Sequence, residues 1–155
     1  MKKQFLLLLL LLSTGAAFSQ SMLGHSRSVV RTNLKRYIRQ HNFTNTKIEE
    51  QADTMTMKVN EEVVKKVTFR YIFNDKRWCR EELKTTDCEE CQSTLLKEIL
   101  ENKKFEWTKI NDSTYVSKFS KKRLLTTSHT GNTWLIDIRK IKWSHQEYEN
   151  RLAAR

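Results

Sequence analysis

The sequence predicts an α+β protein in which two helices pack on one face of an antiparallel sheet of about six to seven strands. Three observations lead there. Two stretches repeat apolar residues every three or four positions, as one face of a helix does. Several other stretches alternate with period two and are separated by short turn signals, which demands antiparallel pairing. Finally, the 155 residues contain no proline and only three glycines, so no flexible linker divides them into domains.

The chain opens with Lys2 and Lys3, an apolar run from Phe5 to Leu12, and small residues with Ala17 and Ser19 placed before Gln20. This is the layout of a secretion signal, so residues 1–19 are expected to be removed and residues 20–155 to form the single domain. The run is too short for the ~20 residues that a membrane-spanning helix needs. Export would place the fold where disulfides persist, in the periplasm or outside the cell.

From Ser26 onward, Val30, Leu34, Tyr37, Ile38 and His41 mark an amphipathic helix, and the Ser26 hydroxyl is positioned to cap its first turn. Residues 41–46 are polar and end it. Residues 47–59 read as one loosely alternating strand with Met55, Met57 and Val59 on one side. Glu61-Glu62 reads as a turn, and residues 63–73 form the clearest strand, with Val67, Phe69, Tyr71 and Phe73 on one face. Asn74-Asp75 is a hairpin signal, returning as a strand over residues 76–85.

Asp87 is the expected N-cap of the second helix, whose apolar face is Cys88, Cys91, Leu95 and Ile99. Turn signals at residues 111–113, 120–122 and 130–132 then separate runs centred on Trp107, Val116, Leu125 and Ile136. Along residues 133–143 the apolar parity changes, which predicts a bulge or a strand end near Arg139. From about residue 144 the chain is polar and is expected to fray or form a short terminal helix. The order is helix, about three strands, helix, about four strands, which also reads as a helix-plus-strands unit used twice.

Gly24-His25-Ser26-Arg27-Ser28-Val29-Val30 followed by Leu34 resembles the Gly-x-Ser/Thr-x-x-x-Val opening of the BamE (SmpA/OmlA) and beta-lactamase-inhibitor-protein-like exported domains. The resemblance implies that the Gly and the hydroxyl residue start a helix that Val and Leu dock on an antiparallel sheet. It also implies a secreted or periplasmic module that binds proteins or assists envelope assembly. The format resembles small exported proteins of Bacteroidota. The chain lacks the lipoprotein cysteine and the Gly-x-Pro element that often accompany this opening.

The formal charge is +11, of which Lys2 and Lys3 supply two. Such a balance favours anionic partners and speaks to association, not to fold. A basic stripe of Arg27, Arg31, Lys35 and Arg39 on the first helix is the candidate anion-binding surface, with Lys121, Lys122, Arg123, Arg139, Lys140 and Lys142 as further cations. A protein or an anionic envelope component is the expected partner, and export disfavours nucleic acid.

Of the three cysteines, Cys79 is expected to bridge to Cys88 or to Cys91, leaving one buried or free to link a dimer. Cys88-Glu89-Glu90-Cys91 at a helix start is alternatively a thiol-disulfide exchange motif, because the positive helix end favours a thiolate. The intervening Glu pair opposes that. The C-x8-C-x2-C spacing lacks a nearby fourth ligand for zinc. No phosphate-cradling glycine loop and no G-x-S-x-G occur, so neither a cofactor nor a catalytic residue is assigned. Binding is the first functional reading and thiol chemistry through Cys88 and Cys91 the alternative.

Overall fold

The computed structural model describes residues 21–60 and 66–154. The expected secretion signal, the expected Glu61-Glu62 turn and the start of the strand expected from residue 63 lie outside the described residues. Among the described residues, eight strands form one antiparallel sheet, and three helices accompany it. This corrects the expected two helices on six to seven strands, and two departures from the sequence reading account for it.

The first is in residues 47–59, which fold not as one strand but as a hairpin. Strand β1 (Thr46–Glu50) and β2 (Thr54–Val59) pair antiparallel with Glu50 opposite Met55. Ile48 and Met57 face each other across it. The even parity of Ile48 against the odd parity of Met55 and Met57 is the trace of the reversal, since one continuous strand cannot put both on one face.

The second is at the C-terminus, where the short terminal helix expected as an alternative to fraying is formed and adds a third helix. Helix α3 (His145–Ala153) is closed by a capping box in which Ser144 and Glu147 bond each other's backbone amides. It is anchored by Tyr148, 6% exposed, whose hydroxyl donates to the Ser117 carbonyl at 3.1 Å.

The other elements are helix α1 (Arg27–Gln40), β3 (Val67–Phe73), β4 (Cys79–Thr86), helix α2 (Glu89–Leu100), β5 (Thr108–Asn111), β6 (Thr114–Val116), β7 (Arg123–Thr130) and β8 (Thr133–Lys140). A short 3-10 turn, Phe119–Lys121, leads into β7. The sheet order is β1-β2-β3-β4-β8-β7-β6-β5. Two four-strand meanders therefore meet along their last strands, with Glu82 opposite Ile138 and Lys84 opposite Ile136.

On the face covered by α1 and α2, Met55, Met57, Phe69, Tyr71, Phe73, Leu125, Ile136 and Ile138 form the main core with Val30, Leu34 and Ile99. Val116 and Leu124 are offset by one residue from Tyr115 and Leu125, so they point to the reverse face. There they meet Ile141, Tyr148 and Leu152 in a second, smaller cluster. The third helix thus sits behind the sheet, and its far half is covered on both faces.

Local starts differ in detail from expectation. Ser26 is the N-cap of α1 by backbone, but its hydroxyl makes no cap bond and lies 3.1 Å from the Ser28 hydroxyl. The N-cap of α2 is Cys88, not Asp87: its sulfur accepts from the Cys91 amide at 3.1 Å. In the β3–β4 turn the left-handed residue is Arg77, at φ 63°, while Asn74 Oδ1 accepts from the Trp78 amide at 2.9 Å. Beta strand β8 ends at Lys140.

Candidate functional site

The α1 stripe divides into two functions. Arg31 grips Glu50 with two hydrogen bonds of 2.6 Å, and Arg27 reaches Glu50 at 3.3 Å. Arg27 also donates to the carbonyls of Ala52 at 2.8 Å and Thr54 at 3.1 Å, and to that of Gln51. Both arginines therefore fasten the β1–β2 hairpin to the helix. The Arg31 hydrogen bonds hold the Glu50 carboxyl down at about 2, helped by Arg27 and opposed by desolvation. Lys35 and Arg39 are exposed and flank an open depression beside Ile38.

A stronger concentration of charge lies at the other end of the sheet. Lys104, Lys121, Lys122, Arg123 and Lys140 surround a cavity of about 380 Å³ whose remaining walls are Leu23, Phe105 and Ser120. No carboxylate lines it. The cations come from separate pieces of chain, with Lys121 and Lys122 sharing one turn. Phe105, 1% exposed, anchors the segment after α2 and so fixes Lys104 beside it. The turn bearing Lys121 and Lys122 is pinned at both ends: the Ser117 amide donates to the Arg123 carbonyl at 3.0 Å, and the Ile141 amide donates to the Lys122 carbonyl at 2.9 Å. Lys122 closes that turn in the left-handed region at φ 49°. Lys140 stands directly opposite Arg123 across β7 and β8.

Aromatic faces, not acids, support these charges. Arg123 lies 4.7 Å over Phe105, Lys122 lies 5.0 Å over Phe119, and Lys104 lies 5.9 Å over Phe105. Arg123 also donates to the Ser21 hydroxyl, which in turn donates to the buried Glu82. Glu82 Oε1 additionally accepts from the Leu23 amide at 2.9 Å. Arg123 Nε is buried without a hydrogen-bond partner, and burial lowers the guanidinium's affinity for its proton. Among the described residues, therefore, no lining carboxylate neutralises the four lysines, while the buried Glu82 acts on Arg123.

The neighbouring basic residues separate by parity. Arg139 points to the reverse face with Asp137, 3.9 Å away, whereas Lys140 turns toward the pocket. The sequence reading grouped Lys121, Lys122, Arg123 and Lys140 with the α1 stripe as further cations and missed Lys104. The sole local trace of Lys104 was the Lys103-Lys104 pair, which nothing nearby in sequence connects to β8.

The cysteines pair otherwise than expected. Cys88 and Cys91 form the disulfide, with their Cα atoms 5.2 Å apart, while Cys79 is buried and free. Cys79 starts β4 under α1, and its sulfur contacts the Glu81 carbonyl at 3.6 Å. Burial, reinforced by Glu82, pushes its thiol well up, so it is unreactive and gives no ready handle for a disulfide-linked dimer. Cys91 lines a separate cleft between α1 and α2.

Comparisons with protein-family models, curated proteins and solved structures find no match for this chain. Among the described residues, no helix is long and apolar enough to cross a membrane.

Proposed function

We propose that this chain is an exported binding protein that holds a ligand bearing clustered phosphate or sulfate groups in the pocket of Lys104, Lys121, Lys122, Arg123 and Lys140. The observation that carries this reading is the convergence of five cations on one cavity with no carboxylate in its wall. Lys104, Lys122 and Arg123 are held against aromatic rings, and burial desolvates Arg123, so an arriving anion meets positioned charge and gains more than at a flat surface. Lys35 and Arg39 extend the basic surface as secondary contacts. The likeness of residues 24–34 to exported binding modules supports the same mode of action.

Titration with a sulfated oligosaccharide and with vesicles of anionic phospholipid tests the reading and separates its two anion sources. The triple variant Lys104→Gln, Lys121→Gln, Lys140→Gln is expected to weaken binding at least tenfold while leaving the Arg123–Ser21–Glu82 contacts in place. Raising the salt from 50 to 500 mM should weaken the native protein steeply, because screening shortens the reach of these charges. Binding that ignores both changes would overturn the proposal.

One observation favours a second reading, thiol-disulfide exchange. The Cys88–Cys91 bridge sits at the N-terminus of α2, and Cys91 opens on a cleft of about 360 Å³. A substrate thiolate would attack the Cys91 sulfur and expel the Cys88 thiolate. A second substrate thiol would then resolve the mixed disulfide, so that a substrate dithiol is oxidised and the protein bridge reduced. Oxidation of a reduced dithiol peptide by the native protein, lost in Cys88→Ser/Cys91→Ser, would support this reading. No exchange would exclude it.

A further inference from the structure

The cleft between α1 and α2 differs in chemistry from the basic pocket. It measures about 360 Å³ and shares no lining residue with the basic pocket. One wall is aromatic: Tyr37 and His41 from the end of α1, Phe43 just beyond it, and Phe69 from β3. The other wall is α2, which brings Glu90 and Glu98 to the rim, two turns of helix apart. Among the described residues, no lysine or arginine lines the cleft, although the formal charge of the chain is +11.

The rings are set at angles around a common space. Tyr37 meets Phe43 at 5.6 Å and 73°, and Phe69 at 6.0 Å and 69°. His41 is 4.3 Å from Tyr37 and stacks on Phe43 at 5.3 Å and 22°. Rings meeting edge to face present their negative faces in different directions. The two walls also act on each other: burial and then the charge of Glu98 push the Tyr37 hydroxyl up to about 12. Partial desolvation raises the Glu98 carboxyl, against the pull of Lys84, which lies buried in β4 beneath α2.

We propose that this cleft binds a small organic ammonium ion, with its alkyl groups against Tyr37, Phe43 and Phe69 and its charge facing Glu90 and Glu98. Aromatic faces attract a cation through the ring quadrupole, and they do so best when the cation is bulky, weakly hydrated and carries apolar surface of its own. Carboxylates at the rim supply long-range attraction and stay partly solvated, so the empty site does not bear the full cost of buried, unpaired charge. A bare inorganic cation would gain nothing from the rings. A neutral apolar molecule would leave the two glutamates unused. The volume suits a ligand of a few to a dozen heavy atoms.

The test uses choline as probe and 3,3-dimethylbutan-1-ol, its uncharged isostere, as control, followed by chemical-shift changes in the full-length protein at pH 8. Choline is expected to shift resonances of Tyr37, Phe43, Phe69 and the first turns of α2. The isostere should bind about tenfold more weakly or not at all. Glu98→Gln, a rim substitution that leaves the core intact, should weaken choline about fivefold, and Phe43→Leu should do so by at least as much. The lysine triple variant of the basic pocket should bind choline normally, so failure of one proposal is distinguishable from failure of the other. No choline-dependent shift in the cleft up to about 50 mM, or equal binding of the isostere, would overturn the inference.

Discussion

The two meanders of the sheet solve the burial problem differently. The first, β1 to β4, puts nearly all of its apolar residues on one face, where Met55, Met57, Phe69, Tyr71 and Phe73 lie beneath α1 and are almost wholly inaccessible. The second, β5 to β8, divides its apolar residues between faces. Leu125, Ile136 and Ile138 join the main core, while Val116 and Leu124 turn to the rear under α3. A strand with one buried face has a register that cannot slip without exposing its core. A meander covered on both faces can spare its inner positions for polar work, and Arg123 occupies one of them. The first half is therefore the stability unit, and the second carries the charged pocket.

The largest test of this contrast is a pair of truncations. Phe69→Ala, at a site 2% exposed in the main core, should cost ~3–5 kcal/mol in chemical denaturation. Tyr148→Ala should cost less, ~2 kcal/mol, because the rear cluster has only three buried members and can partly collapse. Hydrogen exchange in the second variant should rise in α3 and leave β2 and β3 protected. Equal costs, or exchange spreading evenly over both halves, would break the contrast.

A smaller effect comes from Asp137, on the reverse face of β8. Its Oδ1 is buried without a hydrogen-bond partner, and burial, with Glu81 as a lesser cause, pushes its carboxyl up to about 6. A carboxyl raised above its unfolded value near 3.8 binds protons more tightly in the folded state. Its contribution therefore favours folding below that value and turns against it as pH rises through about 6. Asp137→Asn is expected to raise stability at pH 7.5 by ~1–2 kcal/mol, after allowance for its remaining solvent contact, and to change little at pH 4. A variant no more stable at pH 7.5 than the native protein would show that the carboxylate is better solvated than its position implies.

Glu50 acts in the opposite direction and more weakly. Its carboxyl is depressed to about 2, so the stability it lends is fully present above its ordinary value of 4.5 and is lost as pH falls toward 2. The site is at the surface, and exposed pairs contribute little. Glu50→Gln should lower the thermal midpoint slightly at pH 7 and make no difference at pH 2. A midpoint unchanged at pH 7 would leave Arg27 holding the hairpin through its carbonyl contacts alone.

Several parts of this molecule were legible locally. The docking of α1 by Val30 and Leu34 follows from helical spacing, and both residues are fully buried. The alternation of Val67, Phe69, Tyr71 and Phe73 names the face of β3 that is buried. Other parts were legible only in hindsight, such as the parity break between Ile48 and Met55. The cysteine pairing was misjudged because Cys79, on the strand leading into α2, was read as within reach of a helix face bearing Cys88 and Cys91. The α2 turn instead brings Cys88 and Cys91 together and sends Cys79 inward under α1.

By itself the sequence determined two amphipathic helices, the antiparallel character of the sheet and an excess of positive charge, since periodicity, turn chemistry and composition are properties of neighbouring residues. The tertiary structure decided how the two meanders join. The β4–β8 seam buries Glu82 and Lys84 among apolar residues, sets Arg123 against Ser21 from the chain's other end, and brings Lys104, Lys121 and Lys140 to one cavity. It also decided that Arg27 and Arg31 spend their charge on Glu50 while Glu90 and Glu98 face a wall of rings. Those outcomes depend on contacts between residues far apart in the chain, whose free energy no local pattern records.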